Sequence, residues 1–441
     1  MPADRVHENL GRYMLVDGMD IVLDLEKSKG AMVHDARSGR DFVDFFSFFA
    51  SQPIGMNHPR MCNQETIEYL GRAALHKPSN SDVYTVEMAE YVETFGRVAV
   101  PKSFKHLFFI EGGGLAVENA LKTAFDWKYH KNKAKGIDKE GSKIIHFRHC
   151  FHGRTGYTMS LTDSFDLRKT AHFPKFDWPR ITTPWITFPL EGENLKAVEA
   201  AETQAIAEIH QALQASPHEI AGLIIEPIQG EGGDNHFRGE FFEALRKICD
   251  ENEILLIFDE VQSGLGLTGK MWAFQHFNIT PDIVCFGKKT QVCGIMVTGR
   301  IDDVDNVFKV SSRLNSTWGG NFVDMIRSRL HLEIIEEEKL VDRARTSGEI
   351  LLGRFQKLQA ELGGGIENAR GRGLMCAFSV SDGFSRKEML AKIYENGVIA
   401  LPCGRRSIRV RPSLDISREV LEAGIDKIEA AIKTVVAAGK A

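Results

Sequence analysis

Short apolar segments recur through the middle of the chain, and each ends in polar or glycine residues. They read HLFFI (106–110), KIIHF (143–147), AGLIIEP (221–227), ILLIFDE (254–260) and DIVCF (282–286). Segments with helical periodicity separate them, as in 115–130, where apolar residues return to one helix face. Continuous apolar strands alternating with amphipathic helices predict an α/β fold, with a mostly parallel central sheet covered by helices on both faces.

The chain is long enough to need more than one domain. Its 441 residues exceed what a single hydrophobic core usually supports. After about residue 325 the pattern changes to long helical segments, then the strand-like runs LMCAFSV and SIRV and a closing helix. Near the start, YMLVDGMDIVL and AMVHD look like strands without a core of their own. We therefore predict a large domain at 61–325 and a smaller α+β domain built from segments 1–60 and 326–441.

Charge and cysteine usage exclude several classes of partner. The formal net charge is −5 and no long basic block is present, so we expect no nucleic acid to bind. The longest apolar runs fall far short of the roughly 20 residues of a spanning helix, so we expect no membrane insertion. The start of the chain lacks a signal-peptide pattern. Seven scattered cysteines without a CxxC pair predict free thiols, a cytoplasmic protein and no metal site.

Ligands of parallel sheets bind at the carboxyl ends of the strands, so the residues that follow each apolar run are the candidates for chemistry. After HLFFI comes Glu111 and then three glycines that open a helix. Backbone N–H groups at such a helix start can hold a phosphate. A dinucleotide fingerprint would need glycine at position 117, which is Val117. A tight turn with a glycine cap explains this segment alone equally well.

Two charged groups follow the next pair of apolar runs. Asp259 ends ILLIF, where a carboxylate needs a cationic partner to stay ionised; a helix cap or a buried ion pair is the simpler explanation. Lys288 and Lys289 follow DIVCF, and a lysine in a dry site suits Schiff-base chemistry. The simpler explanation for either lysine is a side chain that reaches the surface.

Taken together, a phosphate cradle, a buried acid and a strand-end lysine match one cofactor, pyridoxal 5'-phosphate. The phosphate would take the glycine loop. The acid would keep the pyridine nitrogen protonated, and the lysine would hold the aldehyde as an imine.

These residues resemble the class III aminotransferases of the ornithine and GABA type, which have PLP fold type I. In that family an acidic DE ends one strand, and the next strand runs from Asp through apolar residues to a small residue and the lysine. The chain has FDEVQSGLGLTG, and then Asp282 begins the strand that leads through Gly287 to Lys288. The resemblance thus selects Lys288 as the catalytic lysine and leaves Lys289 as an ordinary neighbour that escapes burial.

The resemblance also implies the rest of the cofactor site. Phe151 would stack on one ring face and Val261 on the other, while Asp259 would face the ring nitrogen. Thr317 would bind phosphate from the partner subunit, which implies an obligatory homodimer with shared active sites. The remaining cofactor-lining positions are His152, Gln262, Gly113 and Gly114. Many family members have a hydroxyl residue or alanine at the position of Gly114, so the phosphate would rely more on backbone donors.

For the substrates, the resemblance implies two arginines and a switch. Arg154 would anchor the distal carboxylate and Arg409 the proximal one, since guanidinium groups bind carboxylates with two hydrogen bonds. Glu231 would mask Arg409 while the amine donor reacts. Gln262 and Asn315 would complete the substrate site. An interdomain ion pair is the alternative for each of Arg154, Arg409 and Glu231.

Several segments resemble the lysine-specific members of the class more closely. They are LHKPSNSDVY, PKFDWPRI, FGKKTQVCG, LNSTWGGN and RGRGLMCAF. This resemblance implies ping-pong transfer of the ε-amino group of L-lysine to 2-oxoglutarate, giving L-glutamate and 2-aminoadipate 6-semialdehyde, which cyclises. Lys288 would move the proton from Cε as general base and acid.

Other functions remain open at this stage. Ornithine, GABA or another terminal amine could be the donor, because one methylene in a pocket is worth only about 1 to 3 kcal/mol. A mutase or decarboxylase on the same scaffold would turn over a single substrate without a keto acid. A small-molecule binding protein is disfavoured by the strand-end lysine and would show no absorbance near roughly 420 nm.

Overall fold

The structure is a computed structural model, and it describes residues 1–439. The helices are α1 (Val6–Gly11), α2 (Ser47–Ala50), α3 (Gln64–Ala74), α4 (Val86–Val98), α5 (Gly113–Ala134), α6 (Gly156–Leu161), α7 (Gly192–Ala215), α8 (Gly239–Glu251), α9 (Phe322–Glu337), α10 (Leu340–Leu362), α11 (Arg386–Glu395) and α12 (Arg418–Gly439). The strands are β1 (Met32–His34), β2 (Asp41–Asp44), β3 (Phe104–Ile110), β4 (Lys143–Phe147), β5 (Arg180–Ile181), β6 (Ile220–Ile225), β7 (Ile228–Gln229), β8 (Asn235–His236), β9 (Leu255–Asp259), β10 (Ile283–Phe286), β11 (Cys293–Thr298), β12 (Ile366–Arg372), β13 (Met375–Val380), β14 (Val398–Ile399), β15 (Leu401–Cys403) and β16 (Ser407–Val410). No helix in this described part is long and apolar enough to cross a membrane.

A seven-stranded sheet forms the centre of the molecule, in the order β3-β11-β10-β9-β6-β4-β5. Strands β5, β4, β6, β9 and β10 run parallel, while β11 is antiparallel to both of its neighbours. The predicted mostly parallel sheet is thus confirmed. In the register of β9 and β10, Asp259 lies opposite Cys285, which places the end of β9 close to the segment that follows β10.

Both faces of the central sheet are buried, which explains why central strands such as β6 and β10 are apolar throughout. In β9, Leu256 and Phe258 join one hydrophobic cluster and Leu255 and Ile257 join another on the opposite face. Helix α5 contributes to the second cluster through residues such as Val117. Alternate side chains of one strand therefore pack against different helix layers.

The terminal segments meet in smaller sheets. Strand β2 lies between β1 and β14, and Val43 pairs with Val398 in parallel register. A second sheet has the order β12-β13-β16-β15. This pairing of the N- and C-terminal segments is what a shared small domain requires, while the boundaries at residues 60 and 325 stay predictions.

The strand expected in YMLVDGMDIVL is wrong. Residues 13–22 are irregular, and Leu23 makes only an isolated bridge to Asp35. Tyr13 and Leu15 are exposed. Because no other strand covers this segment, its apolar residues have no partner that would hold them in a ladder. AMVHD does form a strand, β1.

Helix α2 has an unusual backbone. Its four residues, Ser47 to Ala50, all have positive φ between 44° and 61°, and none is glycine. Left-handed conformation costs about 1 kcal/mol or more for each such residue, so neighbouring groups must hold the turn in place. The Asp44 carboxylate accepts hydrogen bonds from the backbone N–H groups of Phe46 and Ser47, and Ser47 Oγ donates to the carbonyl of Arg411.

Candidate active site

A cavity of about 620 Å³ lies at the carboxyl ends of the central strands. Its lining includes most of the residues that the sequence singles out. They are Gly113, Gly114, Phe151, His152, Arg154, Glu231, Asp259, Val261, Gln262, Lys288 and Arg409. The two that do not line it are Asn315 and Thr317, which are exposed on the loop before α9.

One buried acid of the cavity is Asp259, which is 5% exposed. Its Oδ2 lies 2.8 Å from Nδ1 of the buried His152, and its Oδ1 accepts from the N–H of Val261 at 3.0 Å. Burial opposes a charge on His152, yet the neighbouring Cys150 sulfur and the hydrogen-bonded Asp259 raise the pKa of His152 well above its usual value. These two hydrogen bonds therefore hold the Asp259 carboxyl in one orientation.

Lys288 begins a short 3-10 turn that follows β10, and it lines the same cavity as Asp259. Its φ is 55°, a left-handed backbone that is rare for a lysine and often marks functional sites. Burial, and then the positive charge of Arg409, lower the pKa of Lys288 to about 8. The fraction of this amine that is neutral near physiological pH is a competent nucleophile and base.

Lys289 does not escape burial, so that expectation is wrong. The side chain is 2% exposed. Its Nζ donates to the carbonyl of Gln262 at 2.7 Å and to that of Ala50 at 3.2 Å. Burial and the charge of Lys288 lower the pKa of Lys289 well below its usual value. The carbonyl partners explain how the amine is tolerated, because a neutral amine with two acceptors avoids the cost of an isolated buried charge.

The glycines open α5 beside the cavity. Gly112 has a φ of 99°, which the turn into the helix requires. A Cβ atom on Gly113 would lie 3.0 Å from Cγ1 of Val261, and one on Gly114 would lie 3.3 Å from Cγ2 of Thr155. The absence of side chains therefore leaves backbone N–H groups at the start of a 22-residue helix facing the cavity, which is a favourable place for a phosphate.

The two arginines have different surroundings. Arg409 is 5% exposed and donates from Nη1 to Oε1 of Gln262 at 3.3 Å. Arg154 is exposed at the cavity edge. Among residues 1–439 the ion pairs within 4 Å do not include one between Glu231 and Arg409; Glu231 instead pairs with Lys169, at 2.6 Å. The masking contact suggested by the family resemblance is therefore not formed in this conformation.

The sequence reasoning missed several residues of the cavity. Glu226 is the first residue after β6, and its oxygens accept from the N–H groups of Phe151 at 2.9 Å and Gly230 at 3.0 Å. Burial raises the pKa of Glu226 to about 7. Its place at a strand end was a usable signal. Lys169 and Phe49 had none, because both lie in irregular or strained segments far along the chain from the strand ends.

Comparison with known proteins places this site in a family. The class-III aminotransferase model matches residues 13–432. The L-lysine-epsilon aminotransferase of Mycobacterium tuberculosis H37Rv is 52% identical over 435 residues, covering 98% of this chain and 96% of its own. The enzyme of the same name from Streptomyces clavuligerus is 46% identical, with 98% and 95% covered. The solved structure of lysine aminotransferase from M. tuberculosis in the internal aldimine form has a TM-score of 0.96 at 52% identity, covering 99% and 100%.

The chain belongs to the class-III aminotransferase family. It is an aminotransferase with pyridoxal 5'-phosphate as its cofactor, and the cavity suits that group. The opening of α5 offers backbone donors for a phosphate, Asp259 offers a buried carboxylate, and Nε2 of His152 is a buried polar atom without a protein partner. Lys288 offers an amine of lowered pKa.

Proposed function

We propose that the protein transfers the ε-amino group of L-lysine to 2-oxoglutarate, giving L-glutamate and 2-aminoadipate 6-semialdehyde, which cyclises to piperideine carboxylate. The observation that carries this proposal is the meeting of Lys288 and Asp259 with Arg154 and Arg409 in one cavity. The similarity to L-lysine-epsilon aminotransferases at 46% to 52% identity supports lysine as the donor.

The cofactor, when bound, supplies a carbonyl group for the amine and an electron sink for the carbanion that forms next to it. Asp259 would face the ring nitrogen and keep its proton in place, while His152 fixes the orientation of the carboxylate. Phe151 and Val261 would enclose the ring from its two faces. Gly113 and Gly114 would bind the phosphate through their N–H groups.

Lys288 carries the proton transfer in this scheme. Its Nζ is neutral in part at physiological pH because its pKa is about 8. It would take the proton from Cε of the bound lysine and then donate it to the cofactor. The same group then serves the reverse direction with 2-oxoglutarate. The kinetics are therefore expected to be ping-pong.

Two carboxylate positions allow the two substrates to share the cavity. Arg154 would bind the α-carboxylate of L-lysine, which lies at the far end from the reacting amine. Arg409 would bind the α-carboxylate of 2-oxoglutarate, which lies next to the reacting carbon. Gln262, which accepts a hydrogen bond from Arg409, would keep that guanidinium aligned. Planar guanidinium groups suit both positions.

A homodimer belongs to the proposal. Thr317 and Asn315 are exposed and lie outside their own cavity. The carbonyl of Thr317 accepts a hydrogen bond from Ser79 Oγ at 2.6 Å, which holds the loop in place. We propose that this loop completes the active site of a second copy, with Thr317 at the phosphate and Asn315 at the substrate. The proposal also places the enzyme in the cytoplasm, in keeping with seven free cysteines of which six are buried.

The test is a panel of half-reactions on the holoenzyme. L-lysine, L-ornithine, GABA and 6-aminohexanoate are each mixed with the enzyme, and the loss of the long-wavelength absorbance is followed. We expect the largest kcat/KM for L-lysine, with ornithine lower by about 10- to 200-fold for its missing methylene. Equal rates with ornithine or GABA would contradict lysine as the substrate. Turnover of lysine without any keto acid would indicate a mutase or decarboxylase instead.

A further inference from the structure

Lys169 is a cation at the substrate end of the cavity for which the mechanism above has no role. It closes a 3-10 turn at Leu167–Lys169, and its Nζ lies 2.6 Å from Oε1 of Glu231. Ser164 Oγ donates to the same oxygen at 2.8 Å. The Lys169 and Glu231 side chains are 33% and 17% exposed, and both line the cavity. The ion pair therefore forms part of the wall that a substrate meets.

The carboxylates of the cavity wall are not equivalent. Asp259 is held by His152, and Glu226 accepts two backbone N–H groups. Glu231 is the one paired with a lysine or arginine among the described lining residues, and its other oxygen, Oε2, is buried without a partner. A buried carboxylate oxygen with no donor favours a move towards one. Glu231 is thus the acid of this wall that can change partners.

Arg409 is the second cation with which Glu231 could form an ion pair. It is 5% exposed, its Nε is buried without a partner, and its polar contact is the neutral Gln262. Leaving a buried guanidinium without an anion is costly. Either Glu231 or the carboxylate of a substrate can supply that anion. Lys169, Arg409 and Glu231 therefore line the same cavity.

We propose that Lys169 determines substrate specificity by competing with Arg409 for Glu231. With Glu231 on Lys169, as in this structure, Arg409 is free to bind the α-carboxylate of a 2-oxo diacid. With Glu231 on Arg409, Lys169 is released and joins Arg154 in facing the distal carboxylate of the amine donor. The uncompensated positive charge thus moves from one end of the cavity to the other between half-reactions. The inference rests on the proposed function of Arg409 and Glu231.

The experiment measures binding of glutarate, a diacid that lacks the oxo group and cannot react. Isothermal titration calorimetry on the holoenzyme gives its Kd for the wild type, Lys169→Met, Glu231→Gln and the double variant. Without Lys169, Glu231 turns to Arg409, so we expect Lys169→Met to weaken glutarate binding about tenfold or more. The double variant lacks the Glu231 carboxylate that would cover Arg409, so its Kd should return to within about twofold of that of Glu231→Gln.

Two variants control for folding and for general charge. Lys169→Arg keeps the cation and should keep the wild-type Kd. Arg168→Met removes the neighbouring charge, which is 91% exposed and paired with Asp166, and should change nothing. An unchanged Kd in Lys169→Met, or a double variant as weak as Lys169→Met, would overturn the competition. Failure of the wild type to bind glutarate would also overturn the competition. These outcomes do not depend on which amine the enzyme uses, so a failure of lysine in the panel is a separate result.

Discussion

The two ends of the active-site cavity are built differently. At the cofactor end, Asp259, His152 and Lys289 are almost fully buried and have fixed partners at 2.7 to 3.2 Å. At the substrate end, Arg154 is exposed and Glu231 keeps an oxygen without a partner. In the proposed mechanism, the chemistry common to both half-reactions uses preorganised groups. The choice between two substrates would use ion pairs that exchange partners.

The largest effect should come from Lys288, whose expected role differs from that of its more deeply buried neighbour Lys289. Lys288→Ala should lower turnover at least about a thousandfold, since it removes the group that moves the proton. It should also abolish the absorbance near roughly 420 nm that is typical of lysine-bound cofactor. Spectra and steady-state rates measure both.

Lys289→Met serves as the matched control. It should keep the absorbance and lose stability instead, because the carbonyls of Gln262 and Ala50 lose their donor. Each buried acceptor left without a partner costs about 1 to 3 kcal/mol, measured as the free energy of unfolding in urea. Loss of the absorbance in Lys289→Met with retention in Lys288→Ala would mean that the register of the motif is wrong.

The next effect concerns the acid at the cofactor end. Asp259→Asn keeps the shape but removes the charge opposite His152, and kcat should fall by about a hundred- to a thousandfold. Asp282→Asn is the control, because this buried carboxylate lies at the other end of the same sheet, paired with Arg246 and Arg300. It should lower stability and leave kcat close to that of the wild type. Equal losses of kcat in both variants would point to a structural role for Asp259.

A smaller and asymmetric effect is expected at the substrate end. Glu231→Ala leaves Arg409 permanently unmasked, so the lysine half-reaction should slow more than the glutamate half-reaction. We expect a difference of about tenfold between the two, equivalent to roughly 1.4 kcal/mol. Single-turnover rates with each amine measure it. Equal losses in both half-reactions would show that Glu231 does not act as a switch.

The smallest expected effect is on the pKa of Lys288, which burial and the positive charge of Arg409 lower. The pKa of Lys288 is lowered to about 8 by burial and by Arg409, so the neutral amine accumulates as pH rises through that value. Covalent loading of cofactor-free protein with pyridoxal 5'-phosphate should therefore speed up with pH and level off above about 8.

Arg409→Gln removes a positive charge that lowers this pKa. The midpoint of the loading rate should then move to higher pH, as followed by stopped-flow absorbance. A midpoint that stays in place would mean that burial alone sets the pKa. The Arg168→Met protein loses an exposed charge that does not line the cavity, and it provides the reference curve.

The cofactor end was predictable from the sequence because its residues follow consecutive strands of one parallel sheet. Asp259 and Lys288 each end an apolar run, and the register of β9 and β10 brings those ends together. The family resemblance then selected Lys288 as the lysine expected to act. The fate of Lys289 was not predictable, because the carbonyl of Ala50 that accepts from it belongs to a left-handed turn. Sequence patterns do not reveal such a turn in residues other than glycine.

The substrate end was less accessible to sequence reasoning for a related reason. Arg409 and Arg154 came from the resemblance, but the partner of Glu231 is set by a short 3-10 turn that carries Lys169. Nothing in the local pattern distinguishes this lysine from a solvated one. Whether Thr317 and Asn315 reach a cavity depends on a second copy, which one chain cannot reveal by its own contacts.

The pairing of β2 with β14 has a consequence for how the protein is made. Val43 is synthesised long before its partner Val398, so the emerging chain carries an open strand edge until that residue has been added. Exposed edges recruit other strands, and long-range pairing is slow. The small sheet therefore stays unfinished until β14 has been synthesised. A chain that stops before Val398 would keep this edge open and be prone to aggregate.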